Sequence, residues 1–125
     1  MSTAQSDKTK ELYQEAIAWV RRKGFSKLKA NLESEDFDRP TSFSRKRAER
    51  TITPDLTAVR RGRKSYFEIA VKSDDEQRVV SKWKLLSQLA GLKNGKFYLM
   101  APHGHRSFAS RLVKRYGIKA EVVRI

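Results

Sequence analysis

An α/β fold, of the α+β kind in which helices pack on a mixed sheet, is predicted by three features of the 125-residue chain. Apolar residues recur at helical spacing in three separate stretches. Between them lie alternating or continuous apolar runs of strand length. The order of these segments is α-β-β-β-α-β-α-β. Three successive strands suit an antiparallel meander, and a helical crossover into a further strand adds a parallel neighbour, so the sheet should be mixed.

The first helix is expected over residues 7 to 23, after a polar start (1 to 6) expected to be frayed. Leu12, Tyr13, Ala16, Ile17, Trp19 and Val20 form its stripe, and Gly24 follows Arg21-Arg22-Lys23 as a stop. Leu28, Ala30 and Leu32 alternate with Lys27, Lys29 and Asn31, which reads as a strand with one wet face. Residues 33 to 40 read as a loop, and Ser44 to Arg50 as a basic connector. The next two strands span Thr51 to Arg60 and Lys64 to Lys72, hinged on Arg61-Gly62. Ser73 with Glu76 resembles a capping box opening a second helix, with Val79, Val80, Trp83, Leu86, Leu89 and Ala90 as its stripe and Asn94-Gly95 as its end. Lys96 to Ala101 reads as a central strand buried on both faces. After the turn Pro102-His103-Gly104, Phe108, Leu112 and Tyr116 mark a third helix stopped by Gly117, and Ile118 to Ile125 closes the chain as a strand.

Composition narrows the function. Lys and Arg number 28 against 14 Asp and Glu, a net charge of +14, which favours a polyanionic partner, nucleic acid ahead of membrane. The chain has no cysteine, so disulfide frameworks and thiolate zinc sites are excluded. No apolar run is long enough to span a bilayer, the start does not read as a signal peptide, and a cytoplasmic location is expected. One domain accounts for residues 1 to 125. Eight cations fall between positions 45 and 64: Arg45, Lys46, Arg47 and Arg50, then Arg60, Arg61, Arg63 and Lys64. They flank the acidic residues discussed next, so they are expected to grip a nucleic-acid backbone on either side of a bound phosphate. Arg106, Arg111, Lys114 and Arg115 form a third basic group on the last helix. His103 and His105, in a turn without a nearby acid, read as surface residues rather than metal ligands.

Pro54-Asp55 followed by Glu68-Ile-Ala-Val-Lys72 carries the chemistry. Acids converging from neighbouring strands, with a lysine beside them, are what metal-assisted phosphodiester hydrolysis needs. The carboxylates hold the ion, which polarises the phosphate and activates water, and the ammonium stabilises developing charge. Residues 68, 70 and 72 of a strand share one face, expected to point outward, with Phe67, Ile69 and Val71 on the other toward the core. Likewise Leu56 and Ala58 would face inward and Asp55 and Thr57 outward. A two-residue Arg61-Gly62 turn sets Asp55 directly across from Glu68, with Cβ atoms about 5 Å apart. A turn two residues longer sets it across from Ala70, with Glu68 and Lys72 each on a diagonal. Either register leaves the two carboxylates near one another. In the two-residue register Lys72 lies about 13 Å of backbone from Glu68, and a lysine from the second helix, Lys82 or Lys84, would serve instead. Gln88, four residues after Lys84, would share a phosphate contact on that helix face.

This order, with Pro54-Asp55 opening the second strand and Glu68 and Lys72 on the third, resembles the PD-(D/E)XK nuclease superfamily from the first helix to the strand at 96–101. The resemblance implies a restriction-endonuclease-like fold, shared with archaeal Holliday-junction resolvases and tRNA-endonuclease-like domains. It also implies Mg²⁺ held by Asp55 and Glu68, Lys72 as the third catalytic residue, DNA or RNA as substrate, and a homodimer as a common assembly. On the first helix, Glu11 and Glu15 are where such proteins can supply a further acid. The second motif departs from the family spacing: its lysine position, two residues after the acid, is Ala70. Two functions therefore stay open, a Mg²⁺-dependent nuclease and a non-catalytic nucleic-acid-binding module on the same fold, with a basic protein–protein adaptor as a third.

Overall fold

The computed structural model describes residues 8–44 and 51–125. The expected fraying of residues 1 to 6 and the basic residues Arg45, Lys46, Arg47 and Arg50 lie outside the described residues. Helix α1 (Lys10–Arg22) starts at Thr9, whose side chain accepts the Leu12 N–H at 3.2 Å, so the helix begins later than residue 7. Strand β1 (Ser26–Ala30) follows, then a two-residue ribbon of β2 (Phe43–Ser44) and β3 (Thr51–Ile52). The strand expected over 51–60 is thus divided. Proline at 54 has no N–H to give to a ladder, and pairing with the main sheet resumes only at β4 (Leu56–Arg60).

Strand β5 (Arg63–Ile69) returns antiparallel to β4, with Arg60 paired to Arg63 and Leu56 to Phe67. The turn is the two-residue one: Arg61 has φ 55° and Gly62 φ 74°, the left-handed pair that a tight hairpin of this length requires. Helix α2 (Glu76–Leu92) crosses to β6 (Phe97–Ala101), parallel to β5, and α3 (Arg106–Tyr116) crosses to β7 (Glu121–Arg124), parallel to β6. The cap of α2 is Asp75, which accepts the Arg78 N–H at 3.2 Å, while Ser73 accepts the N–H of Asp75. An aspartate nearer the helix outcompetes the expected Ser73 cap.

The sheet order is β1-β4-β5-β6-β7, a mixed five-stranded sheet between two helical layers. Tyr13, Ala16, Ile17 and Val20 of α1 pack with Leu56, Ala58, Phe67, Ile69 and Met100 on one face. On the other, Val80, Trp83 and Leu86 of α2 and Phe108 and Leu112 of α3 pack with Tyr66, Ala70, Phe97 and Leu99. Both faces of β5 are therefore covered. The outward face expected for Asp55, Thr57 and Glu68 is buried, and over β5 it is covered by α2, whose Lys82 meets Glu68. No described helix is long and apolar enough to cross a membrane.

Candidate functional site

Asp55 and Glu68 meet at the end of the sheet where the parallel strands β5 and β6 have their carboxyl termini, the usual place for sites in α/β sheets. The hairpin register continues one step past Leu56–Phe67, which sets Asp55 opposite Glu68. Each then serves the other's strand. Glu68 Oε1 accepts the Asp55 N–H at 3.1 Å, and Asp55 Oδ2 accepts the Ile69 N–H at 2.8 Å. Asp55 is 1% exposed and Glu68 2%, so neither could remain charged without partners.

The partners are two lysines and a tyrosine. Lys8, two residues before α1, places Nζ 2.6 Å from Asp55 Oδ2 and 3.1 Å from Glu68 Oε2, bridging the pair. Lys82 of α2 reaches the same Glu68 Oε2 at 2.7 Å. The Tyr13 hydroxyl of α1 donates to Asp55 Oδ1 at 3.0 Å. Two carboxylates and two ammonium groups sum to zero charge, and among the described residues no buried side-chain nitrogen or oxygen lacks a partner.

These contacts set the protonation states. Burial opposes charge on Asp55, but Lys8 and then Lys82, with hydrogen bonds from Lys8 and the Ile69 N–H, hold its carboxyl below the usual range. Burial likewise opposes charge on Lys8, and the two carboxylates outweigh it, pushing the ammonium above its ordinary value. The Tyr13 phenol is pushed up by burial and then by Asp55 and stays protonated.

A divalent ion does not fit this arrangement. Each of the four carboxylate oxygens already accepts a donor, and an ammonium occupies the bridging position between the acids. Among the described residues no third aspartate, glutamate, histidine or cysteine joins the pair. Mg²⁺ demands near-octahedral oxygen ligation at about 2.1 Å, which two engaged carboxylates beside two ammonium groups do not offer.

Lys72 is not brought to the site. β5 ends at Ile69, the chain turns away as the Ala70 N–H pairs with the Met100 carbonyl, and the Lys72 N–H donates to His105 Nδ1 at 2.9 Å. Its side chain is exposed and, among the described residues, pairs with neither acid. Lys82 stands where the two-residue turn required a helix lysine. Lys84 instead lies over the Tyr116 ring at 5.6 Å, and Gln88 is exposed. Glu11 and Glu15 are exposed on α1, away from the carboxylates. His105 is engaged by Lys72, His103 is exposed, and Arg111 pairs with Glu76 at 2.8 Å.

Arg60, Arg61, Arg63 and Lys64 do not flank the acids in space. A hairpin's turn is at the far end from its open end, so Arg63 lies five residues from Glu68, about 17 Å along β5. There the Arg60 guanidinium lies 4.4 Å from the Phe25 ring centre and donates to the Lys23 carbonyl at 2.8 Å. A concavity beside it is lined by Arg60, Arg61, Arg63, Asn94 and Lys96 together with Phe25 and Tyr98. Lys64 is held below its ordinary value by partial burial and then by the positive charges of Lys29 and Lys93. At this end Lys96 pairs with Glu121 at 3.3 Å, both exposed.

Lys8 and Tyr13 are the functional residues that sequence reasoning missed. One signal was present: a lysine just ahead of a helix opposes the positive end of the helix dipole, so its place calls for a carboxylate partner. No protein-family model matches the chain, and no curated protein or solved structure matches it.

Proposed function

We propose that this chain is a non-catalytic nucleic-acid-binding module on a restriction-endonuclease-like sheet, gripping the phosphate backbone at the β4–β5 turn. The observation that carries the reading is the cluster of like charges there. Lys64 is disfavoured as an ammonium first by partial burial and then by the neighbouring charges of Lys29 and Lys93, and Arg61 and Arg63 stand exposed at the tip. Cations gathered at mutual cost are relieved by an anion that spans them, and a phosphate backbone does so repeatedly. Arginine forks at the tip suit phosphate oxygens, and such contacts carry no base preference. The quartet of two carboxylates and two ammonium groups supports the non-catalytic half of the reading, since it is neutral and every carboxylate oxygen is engaged.

The test is binding of a labelled duplex at several salt concentrations in EDTA. Affinity is expected to fall with salt by a log–log slope of roughly 0.9 per phosphate neutralised. The double variant Arg61→Glu, Arg63→Glu should weaken binding across unrelated sequences by more than tenfold and flatten that slope. Affinity that hardly changes with salt, or that survives the double reversal, would sink the reading.

A second reading, a Mg²⁺-dependent nuclease, is favoured by one observation, the 2.7 Å contact of Lys82 with Glu68, which restores a lysine to the acid pair. It requires Lys8 to leave. Metal-dependent cleavage of nucleic acid that Asp55→Asn abolishes would establish it in place of the first.

A further inference from the structure

We infer that the Lys8 ammonium is the resident cation of the Asp55–Glu68 pair, taking the place of a divalent ion and fastening the head of α1 to the sheet. Nζ lies within 3.1 Å of one oxygen from each acid, the bridging position that an ion shared by two carboxylates would take. Its side chain is 6% exposed, so this is an internal contact and not a surface pairing. Lys82 closes the second approach to Glu68 Oε2, and Tyr13 and the Asp55 N–H take up the remaining oxygens.

Charge counting points the same way. With Lys8 and Lys82 against Asp55 and Glu68 the site is neutral, so a dication entering it would meet no net attraction. Replacing Lys8 by glutamate would give three carboxylates and one ammonium, a net charge of −2, with a third oxygen ligand beside the pair. Oxygen-ligand sites are tuned by the number and charge of their ligands, so that single change should turn an ammonium site into a metal site. Lys8 is also 47 and 60 residues from its partners in sequence, so the contact joins the start of the chain to the β4–β5 hairpin. This inference does not rest on nucleic-acid binding and is tested without any nucleic acid.

The experiment uses the full chain with Mn²⁺ as probe, reading paramagnetic broadening of amide signals, and Mg²⁺ in thermal melts. Wild type is expected to show no broadening centred on Asp55, Glu68 and Ile69 at millimolar Mn²⁺, and no Mg²⁺-dependent melting shift. Lys8→Glu should gain Mn²⁺ binding at least roughly tenfold tighter than wild type, with broadening centred on those residues. Lys8→Ala, the milder change, should melt roughly 10 °C below wild type, because it leaves a buried carboxylate pair short of its cation. Mg²⁺ should recover part of that loss. Broadening at Asp55 and Glu68 in the wild type would overturn the inference on its own, whatever the variants do. So would Lys8→Ala melting with the wild type, or both variants failing to respond to metal.

Discussion

Asp55 is the residue on which most of the site depends. It accepts from Lys8, Tyr13 and the Ile69 N–H while its own N–H binds Glu68. Its carboxyl is held below its ordinary value of 3.8, so it contributes stability that is complete above that pH and is lost as pH falls through the lower folded value. Lys8 is raised above 10.5, so its contribution is complete below that pH and is lost as pH rises beyond it. Melting followed against pH should therefore show both limbs, and Lys8→Ala should remove most of the alkaline one and shrink the acid one. An unchanged profile in that variant would mean the quartet does not couple to folding. Much of this residue-scale picture was legible. Strand parity brought Asp55 near Glu68 in either register the turn allowed, and the structure has the two-residue one, with Asp55 opposite Glu68. Lys8 carried one local hint, its place just ahead of a helix, but which carboxylates it meets was not legible, nor was the Tyr13 contact, because these pairings span 42 residues or more.

At the scale of elements, periodicity located the three helices and the main strands, while their ends followed local competition that the pattern does not encode. Lys72 was expected on β5, yet that strand stops at Ile69, where pairing with β6 ends and the chain swings toward His105. The wet face expected for β5 was an error of the same origin. Alternation reads the same whether a face meets water or a polar cluster under a helix, and here Glu68 is polar because Lys8 and Lys82 meet it. The junction of α2 with β6 offers a direct check. A Cβ on Gly95 would stand 1.7 Å from the Lys64 carbonyl oxygen, a clash with backbone that cannot turn aside. Gly95→Ala is expected to cost about 3 kcal/mol in chemical denaturation, by forcing α2 and β5 apart at the basic end. A loss under about 0.5 kcal/mol, the scale of a neutral surface change, would show that the approach is looser than described.

Across the whole molecule the two ends of the hairpin divide the charge. At the open end opposite charges cancel in a closed quartet, and at the turn end like charges gather in contact with water. Composition announced the second fact through the net charge of +14, but only the fold separates it from the acids by the length of a strand. That separation is the central claim, and an amide-resolved titration with a short duplex tests it most directly. With EDTA present, the account predicts shifts concentrated at Arg60 to Lys64 and Lys93 to Lys96, with Asp55, Glu68 and Ile69 unmoved. Shifts centred instead on Asp55, Glu68 and Ile69, and appearing only when Mg²⁺ replaces EDTA, would contradict it.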